Sequence, residues 1–526
     1  MFWLGALYFS ATESVPRVGG SYSEGVIGQP RYVNPVLAPA NAPDEDLVEL
    51  VYAGLLGYDA DGRIIERLAD RIEVSEDGKT YTAHIREGAR FHDGEKVTAD
   101  DIVFTVSAIQ DPTYKSPIRQ KWQGIEARAE GDLTIVFTLA KPYFGFREHL
   151  TIGILPKHIW ADVSAERFPL TDLNLMPVGA GPYRFFDFRK DADGNILSYE
   201  LRSFRDFVLG EPYISGLTLS FYPDEDALIR AYERKEVLGT GPVSVERIMT
   251  LADRQGSDVL TFRVPRVFAV FFNPVKSVPL AYEEVREALT LAVDREALVR
   301  EALSGYGAAA RTPFLSFMHG EPDIPDVPES IDEANRILDE AGWARQDDDV
   351  RKKGDTRLSF HLVVPDWSEL RTTANILAGR FREIGAEVHV DIRPITELNK
   401  DAIRPREYEA LLYGEEMSVD PDFYSFWHSS EREDPGLNLA MFDDSSSDDL
   451  LLSLRETRDE GERREKLGSF LSILAKKHPA AFLYSPDVLL ARSDIVKGWD
   501  LRSGNGVASR FSGAERWFMK TKRVFK

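Results

Sequence analysis

From Tyr81 to Ile85 apolar and polar positions alternate, with Tyr81, Ala83 and Ile85 two residues apart, the period of a strand that buries one face. Around it, Asp61-Gly62, Asp77-Gly78, Asp93-Gly94, Gly131-Asp132 and Asp193-Gly194 punctuate short β-like runs with residues suited to hairpin turns. This half of the chain predicts a mixed region in which antiparallel sheet is prominent. Two helices are expected within it. Pro43 to Gly54 puts acidic Asp44 to Asp46 at the positive helix start, then a stripe of Leu47, Leu50 and Val51, then a glycine able to end it. Thr98 and Asp101 form a capping box ahead of Ile102, Val103 and Val106.

The rhythm then changes. Leu358 to Val364 reads as a strand; Leu370, Ala374, Leu377, Phe381 and Ile384 follow at helical spacing up to Gly385; Val388, Val390 and Ile392 alternate as another strand. That is a βαβ unit with a parallel strand pair. Further helices are expected from Glu283 to Leu303 with an interruption at Asp294, after a Ser330 cap with Glu333, and from Ser447 to Lys477 with a break near Gly461. The second half is α/β.

A chain of 526 residues exceeds the roughly 250 to 300 at which a single core stops growing, so two large lobes are expected. No repeat, low-complexity tract or long Gly/Ser linker separates them, so short ordered crossovers must join them. The net charge of -23 argues against nucleic acid, which needs a concentrated basic surface, and is read as a solubility feature. With no cysteine, disulfides, thiolate-held zinc, iron-sulfur clusters and a cysteine nucleophile are excluded. Met1 to Phe9 is an aromatic-rich apolar run, far short of the ~20 residues that span a bilayer and without the basic start of a signal peptide. We read residues 1–20 as the remainder of a truncated membrane anchor plus linker, with Trp3, Tyr8 and Phe9 at the membrane interface; the alternative is an ordinary start that packs locally.

The nine histidines are scattered, and the chain carries no His-Glu-x-x-His, no phosphate-cradling Gly-x-x-x-x-Gly-Lys and no Gly-x-Ser-x-Gly elbow. Gly179-Ala180-Gly181-Pro182 and Gly239-Thr240-Gly241-Pro242 are read as turns. His389 shares a strand face with Glu387 and Asp391, a pattern read as the wet face of a strand rather than a metal site. No catalytic residue, metal or cofactor is expected. The stretch Asp420-Pro-Asp-Phe-Tyr-Ser-Phe-Trp-His-Ser-Ser430 differs: it gathers two carboxylates, four aromatics and a histidine without helical or strand period. Carboxylates can pair with a terminal amine while aromatic faces accept varied side chains, which suits peptide capture. A packed loop, or a helix start at Asp420 or Asp422, explains the composition as well.

Taken in order, Asn34-Pro35, VYAGLLGYD at 51–59, VSEDGKTY at 74–81, FHDGEKVTADDIVFT at 91–105, ILPKH at 154–158, PVGAGPY at 177–183, VREALTLAVDR at 285–295 and the stretch 420–430 resemble family 5 solute-binding proteins of ABC importers, the oligopeptide and dipeptide binders. The likeness runs over nearly the whole chain after Gly19. It implies an α/β, two-lobed periplasmic-binding-protein-like clamshell of the large class, with mixed sheets, an inserted subdomain and two hinge crossovers, near Phe262 to Pro274 and Phe482 to Asp487. Lobe I would then hold residues 21–268, with the subdomain at about 55–175, and the returning residues 485–526; lobe II would hold 269–484.

The resemblance also implies a non-enzymatic, extracytoplasmic monomer that captures peptides between its lobes and delivers them to the permease subunits of an ABC transporter. In such proteins an aspartate matching Asp420 or Asp422 holds the peptide amine, with Asp420 slightly favoured here; Tyr424, Trp427, His428 and Asn438 would line the pocket. Tyr22 and Asn34 are the corresponding candidates from lobe I, and Phe272 and Asn273 from beside the first crossover. Where the family reads Gly-Thr-Gly-Pro-Tyr this chain has Ala180 in place of the threonine, and the usual lipoprotein cysteine is absent. Relatives carry nickel, haem or sugars, so nickel or another small solute is an alternative cargo, with only His428 well placed for a metal. A carboxylate-pair hydrolase is a further alternative.

Overall fold

The computed structural model describes residues 12–143, 145–252, 256–315, 329–418 and 421–525, so the apolar run Met1 to Phe9 lies outside the described residues. The chain forms two compact units: Met1–Phe262 with Val488–Lys526, and Arg263–Asp487. It passes from the first to the second after Phe262 and returns after Asp487, the return falling inside the strand Ala480–Ser493. Among the described residues no helix is long and apolar enough to cross a membrane.

In the first unit the strand Ser21–Ile27 runs parallel to Gly216–Tyr222 on one side and to the short Gly239–Thr240 on the other. Ile196–Ser203 and Tyr183–Lys190 extend the sheet antiparallel beyond Gly216–Tyr222. A separate antiparallel sheet takes Ala69–Val74, Thr80–Ile85, Thr134–Leu139 and Ile125–Ala129 in that spatial order. The Asp-Gly signals sit where hairpins need them: Gly62, Gly78, Gly131 and Gly194 all have positive φ in turns between paired strands, a region where a Cβ would be strained. Gly94 turns only an isolated bridge between Arg90 and Lys96. Tyr81, Ala83 and Ile85 are buried, as their alternation predicts. Asp101 accepts a hydrogen bond from the Thr98 backbone N–H at 2.8 Å, starting the helix Ala99–Gln110. The other expected helix spans Ala42–Val51, and Tyr52 leaves it in extended conformation before Gly54 is reached.

The second unit is built on a sheet with strand order Glu387–Arg393, Ser359–Pro365, Ala410–Glu416, Arg266–Phe272 and the first half of Ala480–Ser493. The expected βαβ unit is present: Ser359–Pro365 and Glu387–Arg393 pair in parallel across the helix Ser368–Glu383, which ends before Gly385 at φ 81°. Arg266–Phe272 shows why this sheet is central. Phe268, Val270 and Phe272 enter one apolar cluster and Val267, Ala269 and Phe271 another, so both faces are covered and the strand reads as an unbroken apolar run. Asp294 caps the helix Arg295–Ala302 by accepting from Ala297 N–H at 2.8 Å, and Ser330 caps Ile331–Glu340 by accepting from Glu333 N–H at 3.1 Å. The break expected near Gly461 falls earlier: one helix ends at Glu456, and Asp459 caps the next, Glu460–Lys477, by accepting from Glu462 N–H. A side-chain acceptor outweighs a glycine, whose cost inside a helix is about 1 kcal/mol.

Three distant parts of the first unit meet at one guanidinium. Arg510 Nε donates to Glu24 at 2.8 Å and Nη1 to Asp46 at 2.5 Å, with Nη2 closing the fork on Asp46; all three side chains are essentially unexposed. Glu24 also accepts from the Tyr22 hydroxyl at 2.7 Å. Removing one partner of such a group leaves an uncompensated buried charge. Arg510→Met is therefore expected to lower the unfolding free energy of the full chain by about 3–5 kcal/mol, read from urea denaturation. Arg510→Lys, which keeps the charge and loses the fork, should cost less.

Candidate functional site

Asp420 lies outside the described residues; from Pro421 onward the stretch is in view. It forms one helical turn, Tyr424–Trp427, and a 3-10 turn, Ser429–Glu431, in place of the expected irregular loop. Asp422 does not cap that turn through the backbone. Its carboxylate takes a two-pronged contact from Arg455, at 2.8 Å from Nε and 2.5 Å from Nη2, and accepts from the Ser425 hydroxyl at 3.3 Å. The Arg455 guanidinium lies 3.8 Å from the Tyr424 ring centre, and Tyr424 stacks on His428 at 4.1 Å. His428 Nδ1 accepts from Ser430 N–H at 3.1 Å, and its Nε2 is 3.8 Å from Asp448. Asp422, Tyr424 and His428 are half-buried, so together with Arg455 they present a charged and aromatic surface that a ligand could touch.

The structure separates these from the other candidates. Trp427 is fully buried, its ring packed near Phe271, Phe442 and Phe482 at centroid distances of 5.7 to 6.3 Å, and its indole N–H has no partner among the described residues. Asn438 is buried and staples the backbone of the stretch: Nδ2 donates to His428 O and Phe442 O, and Oδ1 accepts from Phe442 N–H. Phe272 is fully buried core. Asn273 is buried, accepting from Val275 N–H and donating to Arg406 O. In the first unit, Asn34 is buried against Asn174 and accepts from Val36 N–H. Tyr22 is buried edge-on to Trp517 beside Glu24. Each of these side chains has a local packing or hydrogen-bonding duty. His389 sits exposed on an edge strand, 3.2 Å from the Ser359 hydroxyl and beside His361; no grouping of three histidines or acids that could hold a metal occurs among the described residues.

One group stands out that the sequence reading passed over. Glu415, on Ala410–Glu416, is buried, and neither carboxyl oxygen has a hydrogen-bond partner among the described residues. It pairs with Val267 across the sheet, on the face that carries Leu411. Burial holds its carboxyl well above the usual carboxylate range, with no cation among the described residues to counter it. A carboxyl in that condition costs the fold a desolvation penalty that a donor from outside would repay. Its position is also the carboxyl end of strands running parallel, where α/β sheets place ligands. The signal was readable: Leu411, Tyr413 and Glu415 continue one strand face, so an acid falls where the period demands an apolar residue.

The chain is 27% identical over 514 residues to the oligopeptide-binding protein AppA of Bacillus subtilis, covering 92% of this chain and 89% of that one. In fold it resembles the crystal structure of that species' AppA in complex with a nonapeptide, with TM-score 0.76 and 24% identity over 96% of this chain and 100% of the other. It also resembles NikZ of Campylobacter jejuni in complex with Ni(L-His), with TM-score 0.79 and 24% identity over 95% and 99%. The fold is thus the α/β fold of the periplasmic binding proteins. The model of the bacterial extracellular solute-binding proteins, family 5, matches residues 63–436, and this chain belongs to that family.

Proposed function

We propose that this protein is an extracytoplasmic binding protein that captures peptides, without transforming them, and hands them to the permease of an ABC importer. The observation that carries the ligand class is Glu415, a buried carboxyl in the second unit lacking any partner among the described residues. A peptide's ammonium supplies both the charge and the donors it lacks, while the Tyr424 ring and the Arg455–Asp422 pair offer an aromatic face and fixed charges for the rest of a ligand. The relatives named for oligopeptide and dipeptide binding support this reading. Asp420 and Asp422 stay in the proposal as neighbours of the amine, but Asp422 already holds Arg455.

Mass spectrometry of ligand retained on the native protein should recover a heterogeneous peptide pool. Tight nickel binding without peptide affinity, or peptide turnover at catalytic rates, would replace the reading. In titrations with Ala-Leu-Ala, Glu415→Gln should weaken binding by about 2–5 kcal/mol, the range for one partner of a buried charge pair, and leave the N-acetylated peptide unaffected. If Asp420→Asn produces that loss and Glu415→Gln does not, the amine role passes to Asp420. Because burial raises the Glu415 carboxyl's pKa and an adjacent ammonium would lower it again, binding should be accompanied by proton release at pH values between the two, measurable by calorimetry in buffers of different ionisation enthalpy.

The same group sets a pH dependence on the ligand-free fold. Its folded pKa lies above the unfolded value of about 4.3, so below that pH it carries a proton in both states and imposes no penalty. As pH rises beyond it the unfolded chain ionises first, and stability falls by up to about 1.4 kcal/mol per pH unit until the folded pKa is passed. Wild type should therefore lose stability relative to Glu415→Gln between pH 5 and the folded pKa, seen as a growing difference in Tm; a constant difference would show that Glu415 is not the buried acid described.

A further inference from the structure

The two described ends of the chain pair with each other: Thr12–Arg17 lies antiparallel to Lys520–Phe525. Register places Arg17 opposite Lys520, Val15 opposite Lys522 and Glu13 opposite Val524, so these six side chains share one face. Arg17, Lys520 and Lys522 are exposed and have no ion-pair partner among the described residues. Arg17 and Lys520 stand directly across the ladder, an arrangement of like charges that weakens a strand pair. On the other face Arg523 is differently engaged, donating to the Thr12 hydroxyl and carbonyl oxygens. A chain with net charge -23 thus places three cations without an ion-pair partner among the described residues, with the single acid Glu13 beside them, together on one terminal ribbon.

We propose that this face docks on the anionic headgroups of a phospholipid membrane. Two considerations select lipid over an acidic protein surface. Two residues ahead of Thr12 the sequence closes the run MFWLGALYF, apolar and rich in the aromatic residue types that settle at membrane interfaces, so the basic ribbon follows a segment whose composition suits the same surface. The partner must also tolerate a strongly acidic protein. Charges further than about 8 Å are largely screened at physiological salt, so a membrane meets the local basic face rather than the net charge. Each basic residue near an anionic surface strengthens binding by a factor of about five, and with Glu13 on the same face offsetting one of the three the ribbon supplies roughly thirtyfold, enough to orient the molecule rather than hold it alone.

The test is co-sedimentation of the full chain with vesicles of phosphatidylcholine alone and of phosphatidylcholine with phosphatidylglycerol, at low and high salt. Wild type should prefer the phosphatidylglycerol vesicles and lose that preference in high salt. Combining Arg17→Glu, Lys520→Glu and Lys522→Glu should cut binding to them roughly a hundredfold or more without lowering Tm. The milder pair Lys520→Gln with Lys522→Gln should give a partial loss and guards against a misfolded triple variant. Equal binding to both vesicle types, binding to neither, or a folded triple variant that binds like wild type would each overturn the proposal.

Discussion

A guanidinium deprived of water has to be met by carboxylates, and in the first unit that requirement joins residues that are far apart in sequence. Arg510 reaches Glu24 on the strand Ser21–Ile27 and Asp46 on the helix Ala42–Val51, so the central strand, the first helix and the C-terminal return are fixed by one charge. The neighbouring geometry follows. Glu24 holds the Tyr22 hydroxyl, and that hydroxyl occupies the space a side chain at residue 239 would need: a Cβ on Gly239 would come within 2.0 Å of it. Gly239 pairs with both Glu24 and Arg492, so the narrow strand there can exist only without a side chain. A buried ion pair is weak support for stability, since apolar groups can fill such space as well; its strength lies in penalising every arrangement that leaves a charge unmet.

Local structure was legible wherever one short motif decides it. The Asp-Gly turns, the Thr98–Asp101 box, the Asp294 and Ser330 caps and the βαβ unit around Phe381 all depend on residues a few positions apart, and the structure has them. The helix break at Gly461 was misplaced because the glycine looked decisive, whereas the Asp459 side chain supplies the acceptor. The candidate site was less legible, for a physical reason. Composition shows which side chains a stretch contains, not which way they face: Tyr424 and His428 stay partly accessible, while Trp427 turns into the core and Asn438 spends its amide on backbone. Asp422 meets a partner thirty-three residues away in Arg455, a pairing no local pattern announces.

Glu415 and Arg510 are opposite solutions to one problem. Both are buried and ionisable; one is surrounded by the charges it needs, the other by none among the described residues. A group left unsatisfied at a stability cost is a usual mark of a site selected for something other than stability. The two lie in different units of a solute-binding protein: the first unit's guanidinium is already neutralised, while the second unit's carboxyl has no partner among the described residues.

The passages at Phe262 and Asp487 make the second unit an insertion within the first. Synthesis runs from one end, so residues 263–487 are complete while the first unit still lacks Arg510 and Trp517. Glu24 and Asp46 must wait for their cation through the making of nearly the whole chain. Domains generally fold as units during translation, so the later-starting unit can close first, and a nascent chain stalled before residue 510 would hold one finished domain and one with two carboxylates unmet. The end of the polypeptide, in this order of events, licenses its beginning.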